Sequence, residues 1–563
     1  MVHVVPNARR RWRLRRSPHA GALRDTDYPP LIQRLLENRG IADAAQASAF
    51  LDDAHPSFDP ATLPDAATAV ERLSRAAAAN EAVAVFGDFD VDGITSVAIL
   101  TEGLTALGAR VIPYIPDRFA EGYGLNQPAI QRLHDEGASL LLAVDCGTSS
   151  VEEVAFARSL GMDVLIVDHH VASGDRLPDA LALVNPKSLT ARDWHFDLAS
   201  AGLAYFLLRA LFDALGRSFP EQRFLELAAL GTVADMAPLL GANRWLAQSG
   251  LAAVQQTERC GLRALMEVAS VHPSRIDTES LSFVLSPRLN AAGRLAHARL
   301  SLELLLCDDD ASAWEMARQL DSLNRQRQRH TATALDLAWS LFAEEDDASL
   351  LMIGHSDVPA GVAGLVASKM AEALYRPVVV YQRGETESRA SSRSIPEFDI
   401  ASALRGCDDL FLRFGGHPQA AGFTADNACL PAIKERLTAC AEEQLAGLDL
   451  APVIDVDAEV GLRELGRQEI RWLAKLAPHG VDNREPVFLS RGVTAADCRV
   501  MGGDGKHLRL KLKDGYVTWP AVGFGLGSAA VPDGQRIDAV YSLSSDRRDG
   551  SLQLTLHDLR PSV

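Results

Sequence analysis

The sequence predicts an α/β protein: a doubly wound parallel-sheet domain, a long helical connector, a second α/β domain and a C-terminal β-barrel. Three observations predict it. From about residue 59, apolar strand-like runs alternate with single helices, and such crossovers imply a parallel sheet. Asp310 to Glu345 has few helix breakers and reads as one connecting helix. From about residue 448 the composition turns β-like. The 563 residues exceed what one hydrophobic core holds. The expected divisions are 1–58, 59–255, 256–345, 346–447 and 448–563.

Residues 1–58 open with Arg9, Arg10, Arg11, Arg13, Arg15 and Arg16, then carry helical patterns over Leu31–Asn38 and Ala45–Leu51. They read as a basic tail and a small helical appendage. Within 59–255, helices are expected over Ala67–Ala79, Ile94–Leu107, Pro128–Glu136 and Val151–Leu160. Strands are expected over Ala82–Phe86, Arg110–Ile115, Ser139–Val144 and Met162–Val167, with a further helix over Phe224–Met236. In the mostly helical 256–345, Ser286 to Arg294 reads as a loop because it holds Pro287 and Gly293. The second α/β domain begins with strand Leu350–Gly354, helix Val362–Leu374 and strand Pro377–Gln382. It contains Ser391-Ser392-Arg393-Ser394, able to offer hydroxyls and a guanidinium to a phosphate. It also holds Phe414-Gly415-Gly416-His417-Pro418, which reads as a glycine-rich turn entering a helix.

The chemistry concentrates at strand ends. After Ala82–Phe86 come Asp88, Asp90 and Asp92, closed by Gly93. A helix cap needs one acceptor, whereas three neighbouring carboxylates repel one another unless a cation neutralises them. The third strand delivers Asp145 and the fourth Asp168-His169-His170. Parallel strands put these ends on one sheet edge, where ligands bind. This convergence predicts a metal site. Asp235, in Gly-Thr-Val-Ala-Asp, read alone is a solvated acid near a helix end.

Composition bounds the function. An apolar share of 47% with 23% charged residues suits a globular protein. No apolar run reaches membrane-spanning length and no signal-peptide pattern appears, so a cytoplasmic location without membrane contact is expected. Seven scattered cysteines without a CxxC pair argue against a structural zinc site. The net charge of −18 confines any nucleic-acid contact to local basic patches. Candidates are the arginine-rich start, Arg318, Arg325, Arg327 and Arg329 of the connector, and Arg509, Lys511 and Lys513, which alternate with leucines. Tyr516, Trp519 and Phe524 follow. A basic, aromatic-bearing barrel suits single-stranded nucleic acid; equally, the aromatics are core and the basic face only soluble. The sequence leaves both open.

Asp88-Phe-Asp90-Val-Asp92-Gly, Val-Asp145-Cys-Gly, Asp168-His169-His170, Gly-Thr-Val-Ala-Asp235 and Gly415-Gly416-His417 together resemble the DHH phosphoesterase superfamily and its DHHA1 partner domain. Ile115-Pro-Asp-Arg118-Phe, Pro287-Arg288-Leu-Asn290-Ala-Ala-Gly-Arg294-Leu and Ser392-Arg393-Ser394-Ile-Pro are similar to the RecJ branch, single-strand-specific 5′→3′ DNA exonucleases. The resemblance runs from about residue 31 to the end, with an OB-like last domain. It implies two ions, Mn²⁺ or Mg²⁺, held by Asp90, Asp92, Asp145, His169 and Asp235, with Asp88 near a further ligand position. It implies His170 beside the scissile phosphate and Asp168 orienting an imidazole. Arg118, Ser391 and Arg393 would grip the 5′-phosphate, while Arg288, Asn290, Arg294 and His417 would hold the strand or product. Ala390 and Ser392 replace the two glycines of the Gly-Ser-Gly-Arg-Ser turn usual in that family, keeping the hydroxyl and the guanidinium. The resemblance implies single-stranded DNA as partner, with a single-strand-binding protein and a repair helicase beside it in DNA repair and recombination. Two rivals remain: a phosphodiesterase acting on dinucleotides, whose relatives are shorter, and a non-catalytic scaffold, whose relatives have lost ligands that this chain keeps.

Overall fold

The computed structural model describes residues 10–51, 58–172, 176–188, 192–342, 348–503, 505–545 and 550–562. The chain forms two units. One is built on Arg294–His297 and Gln319–Ile454, the other on Trp12–Gly293, Ala298–Arg318 and Asp455–Val563.

In the larger unit, strands β1 (Ala82–Phe86), β2 (Arg110–Tyr114), β3 (Leu140–Val144), β4 (Asp163–Val167) and β5 (Ala182–Val184) make a sheet of order β2-β1-β3-β4-β5. Every pairing is parallel. All residues of β1 and β3 are buried, as expected of strands covered on both faces. Ala84 and Phe86 share a core with Ile130 and Leu133 of α2 (Gln127–Asp135) and Val154 and Ala157 of α3 (Val151–Ser159). Helix α1 (Val91–Leu107) packs instead with α4 (Ser200–Ala214) and α5 (Glu221–Ala234). The predicted doubly wound sheet is present.

Two expectations for the chain start are corrected. Helices Pro30–Glu37 and Ala44–Leu51 are no appendage: Leu23, Ile32, Leu35, Leu36 and Leu51 share one core with Phe488, Leu510 and Tyr541 of the barrel. The amphipathic helices need an apolar partner, and the barrel supplies it. Nor are the arginines a free tail. Arg13 binds Asp455 bidentately at 2.6 and 3.0 Å, and Arg15 lies 3.5 Å from Asp457. Alternate arginines meet alternate aspartates, as strand periodicity allows. Arg9 lies outside the described residues.

The segment around Arg288 is a helix, α6 (Ser286–Leu295), continuing from a π-helical turn at Leu281–Leu285. Pro287 lies just past that π-helical turn, where the regular hydrogen-bond ladder is already interrupted. Helix α7 (Asp310–Phe342) is the expected connector; residues 343–347, including its expected end, lie outside the described residues.

The smaller unit holds α8 (Ala360–Leu374) and strands β6 (Leu351–His355), β7 (Val378–Arg383), β8 (Glu387–Arg393), β9 (Arg413–His417) and β10 (Ala420–Asp426), in the order β9-β10-β8-β7-β6. Only β6–β7 is parallel. Two expected turns are therefore strands. Ser391 and Arg393 stand on β8, and the Gly415-Gly416-His417 segment is one arm of a β9–β10 hairpin rather than a helix entry. Ala421, Phe423 and Ala425 are buried while their neighbours are not; this period of two outweighs the glycine signal. Gly416 (φ +145°) is required by close approach, since a Cβ there would lie 2.4 Å from Ala421 Cα.

The last domain is a barrel of β11 (Phe488–Met501), β12 (His507–Asp514), β13 (Val517–Gly523), β14 (Arg536–Ser545) and β15 (Leu552–Pro561). The order β11-β12-β13-β15-β14 is closed by β11–β14 pairing. Leu508, Leu510 and Leu512 are buried while Arg509, Lys511 and Lys513 face out. The aromatics divide: Trp519 packs against the core, but Tyr516 is 87% and Phe524 67% exposed. Arg244 joins barrel and sheet domain, donating to the carbonyls of Phe50, Lys475, Leu476, Ala477 and Pro478. No described helix is long and apolar enough to cross a membrane.

Candidate metal centre

The turns after β1 and β3 bring their carboxylates to one place. The turn after β1 carries Asp88 and Asp90 into the start of α1. Asp90 does cap that helix, accepting from the N–H groups of Asp92 and Gly93 at 2.9 and 3.2 Å. Gly93 is dictated by contact, because a Cβ would lie 2.6 Å from the Asp88 backbone. Asp145, after β3, adopts a left-handed φ of +60°, a strained conformation for a non-glycine residue and one found at functional sites.

Six predicted ligands gather. Asp88, Asp90 and Asp145 form one group, Asp92, His169 and Asp235 a second, and Asp145, His169 and His170 a third, ligand atoms in each lying within 4.8 Å of one another. Asp145 and His169 each belong to two groups. His169 Nε2 is 3.4 Å from Asp145 and 4.0 Å from Asp92, and its Nδ1 is 3.8 Å from Asp235. Asp235 is thus no solvated acid: the Ala234 end of α5 carries it into the cluster. Gly231 permits this approach, since a Cβ there would meet Thr95 Oγ1 at 2.4 Å and Asp92 Oδ1 at 2.8 Å.

The electrostatics follow from packing acids in a dry place. Burial pushes the Asp92 carboxyl up to about 7, and Asp90 adds to it. Burial, then Asp92 and Asp90, push Asp235 up to about 9. Asp88 and Asp145 are raised well above the ordinary range, again by burial first and acidic neighbours second. Asp88 Oδ1 is buried without a hydrogen-bond partner. Anions held this way call for a cation, and oxygen donors with an imidazole fit Mn²⁺ or Mg²⁺ better than a thiolate-seeking ion.

Asp168 stands apart. Burial would raise it, but His170 Nδ1 at 2.7 Å, the imidazole charges and the Thr148 N–H together hold it well below the ordinary range. Its Oδ1 also accepts from the backbone N–H groups of His169 and His170. His170 is raised in turn: burial opposes its charge, and Asp168 outweighs burial.

Several residues at the centre carry no sequence signal. Asp92 accepts from the N–H groups of Ser200 and Ala201 at the start of α4, at 2.8 and 2.9 Å, an anion on a helix N-terminus. The Ser200 hydroxyl donates to Asp145 at 3.0 Å. Asn185, fully buried, donates to the Thr148 hydroxyl and the His170 carbonyl, both at 2.8 Å. In sequence, Asn185 before Pro186 is a turn signal that carries no chemistry of its own. The Tyr123 hydroxyl lies 3.4 Å from His170 Nε2. Arg118 sits over the Phe89 ring at 4.8 Å, its guanidinium lowered by burial while Asp88 and Asp90 act in the opposite sense. Helix α6, bearing Arg288 and Asn290, abuts the same turn: a Gly293 Cβ would lie 3.1 Å from the Phe89 carbonyl oxygen. Arg288 itself donates to the Val284 carbonyl at 2.7 Å.

In the smaller unit, three predicted residues lie against the first five residues of α8. Arg294 donates to the Gly361 carbonyl at 3.3 Å. A Cβ on Gly364 would lie 3.2 Å from Arg393 Nη2 and 3.5 Å from Ser391 Cβ. His417, Ala420 and Arg393 are successive partners across β9, β10 and β8.

Comparison with known proteins agrees with this architecture. Residues 82–232 match the DHH family N-terminal domain, 347–443 the DHHA1 domain and 456–558 the RecJ OB domain. The single-stranded-DNA-specific exonuclease RecJ of Salmonella typhimurium is 33% identical over 95% of this chain and 96% of its own length. The chain belongs to the RecJ family. The Bacillus subtilis RecJ is 34% identical over 92% of this chain, which spans 66% of that relative. The crystal structure of Thermus thermophilus RecJ with Mn²⁺ superposes with a TM-score of 0.85 at 32% identity, covering 99% of this chain and 80% of that one. A second Thermus thermophilus RecJ structure contains Mg²⁺ and gives 0.79. The family is thus an enzyme family whose structures carry divalent metal.

Proposed function

We propose that this chain is a metal-dependent exodeoxyribonuclease that removes 5′-mononucleotides stepwise from single-stranded DNA, in DNA repair and recombination. The observation that carries the reading is the cluster of Asp88, Asp90, Asp92, Asp145, His169 and Asp235, in which Asp145 and His169 are each shared between groups. Shared ligands suit a pair of ions, Mn²⁺ or Mg²⁺. Bound there, the ions supply Lewis acidity, an activated water and neutralisation of phosphate charge.

The chain's own residues do the rest. Asp168 holds Nδ1 of His170 and favours its charged form. Nε2 is then the nitrogen that donates to the scissile phosphate or the departing oxygen. Arg118, Ser391 and Arg393 grip the 5′-phosphate, the last two beside the N-terminal turn of α8, where backbone N–H groups favour an anion. Arg288, Asn290, Arg294 and His417 hold the strand or the released nucleotide. The outward Arg509, Lys511 and Lys513 with exposed Tyr516 and Phe524 offer the barrel's grip on single strands. Seven free cysteines fit a reducing cytoplasm. A single-strand-binding protein and a repair helicase are the partners such a substrate brings.

The test is digestion of a 5′-phosphorylated, 3′-labelled single strand in Mn²⁺, beside a duplex and an Asp145→Ala variant. Shortening from the 5′ end, absent on duplex and lost in the variant, is expected. Shortening from the 3′ end would overturn the phosphate grip, and binding without cleavage would overturn the enzyme.

A further inference from the structure

We infer that a groove beginning one residue beyond the metal cluster receives a nucleobase of the bound strand. The inference deepens the exonuclease reading and rests on it. The groove is a cavity of about 390 Å³ between the end of α5, the π-helical turn and the loop before the barrel, within the range of about 300–1,000 Å³ usual for ligand sites.

Its apolar faces are unusually open to water. Met236, directly after Asp235, holds a left-handed φ of +63° and is 58% exposed. Phe283 is 72% exposed and stands on the π-helical turn Leu281–Leu285, a distortion of the helix that recurs at functional sites. A thioether and a phenyl ring left in water around one cavity offer flat apolar surface to an aromatic ligand.

The groove's charges choose between base and phosphate. Among the described residues Arg484 is its one arginine, and Glu279 and Glu485 line it too. Two carboxylates repel a phosphate, but they accept hydrogen bonds from the exocyclic amino groups of bases, while the uncharged base face stacks on Phe283. The banks are also tied in advance. The Thr278 hydroxyl donates to the His479 carbonyl at 2.6 Å, and the Leu239 N–H donates to the Val481 carbonyl at 2.8 Å. Bases therefore turn to the groove and phosphates to the metals.

An oligonucleotide with a single abasic site, moved one position at a time from the 5′ end, tests this on the full chain. With wild type in Mn²⁺, KM should rise about five-fold or more when the abasic site falls at one or two adjacent positions. Phe283→Ala should raise KM on the intact strand by a similar factor and lose the positional effect. Digestion by wild type that is indifferent to every abasic position, or a Phe283→Ala profile equal to wild type, overturns the groove and leaves the exonuclease standing. If wild type cuts nothing, the exonuclease reading fails, and anisotropy of the same strands with Ca²⁺ still decides the groove by the same pattern in Kd. Tighter binding by Glu279→Gln or Glu485→Gln would place a phosphate there and overturn it as well.

Discussion

His170 Nδ1 lies 2.7 Å from Asp168 Oδ1, and that same oxygen accepts the backbone N–H groups of His169 and His170. One carboxylate therefore sets both the ring and the loop that carries it. Asp168→Asn would turn an amide N–H toward donors. Activity should fall about 10–100-fold, as for partners of metal-site histidines, with melting lowered by several degrees. Single-turnover cleavage and thermal melts check this; an unchanged rate would remove Asp168 from the machinery.

At Gly231, α5 lies against Thr95 and Asp92 of α1. Gly231→Ala must displace Thr95 or the Asp92 carboxylate. A destabilisation of about 1–3 kcal/mol is expected, together with weaker Mn²⁺ binding. Urea unfolding and calorimetric titration of Mn²⁺ read the two effects separately, and wild-type metal affinity would contradict the placement.

Metal removal should expose the repulsion among the acids. Asp92 and Asp235 are raised to about 7 and about 9 in the folded protein, from an ordinary 3.8. The folded state then keeps protons that the unfolded chain releases. Their contribution to stability is complete below about pH 4 and is lost as pH rises through 7 and then 9. In EDTA, Tm should fall between pH 6 and pH 9.5. Saturating Mn²⁺ binds the ionised form and should flatten or reverse that slope. A metal-free Tm that climbs over this interval would contradict the buried-acid account.

Arg244 satisfies five backbone carbonyls drawn from Phe50 and residues 475–478, and its guanidinium lies 4.0 Å over the Phe50 ring. Arg244→Met would strand several acceptors in a buried place, at a cost of about 3 kcal/mol or more. Arg244→Lys should recover little, because an ammonium lacks the planar fork. Equilibrium unfolding and limited proteolysis near residue 480 measure this. Lysine restoring wild-type stability would reduce the contact to simple charge.

The parallel sheet and its acids were legible because both signals are local. Ala82–Phe86 and Ser139–Val144 are apolar runs of strand length, and the polar residues that break them had to lie on one edge. The misread segments are those where a local signal competes with packing. Pro287 and Gly293 read as loop punctuation, yet Pro287 lies just past the π-helical turn, where the ladder is already interrupted, and Gly293 answers the approach of Phe89. Gly415 and Gly416 imitate an anion-binding turn, and only the pairing of β9 with β10 makes them a strand. Arg13 and Arg15 look like a basic tail until Asp455 and Asp457 lie opposite them.

The alternation of strand and helix, the divalent-metal character of the ligand set and the family are all legible in the chain, since each rests on residue type, period and spacing. The family resemblance already put Asp235 in the ligand set, but that Asn185 and Ser200 brace the cluster and that the first helices complete the barrel's core emerges only from tertiary contacts. Those are contacts between residues tens to hundreds of positions apart. No periodicity encodes them, because closing such loops is driven by burial summed over the whole core and not by any local preference.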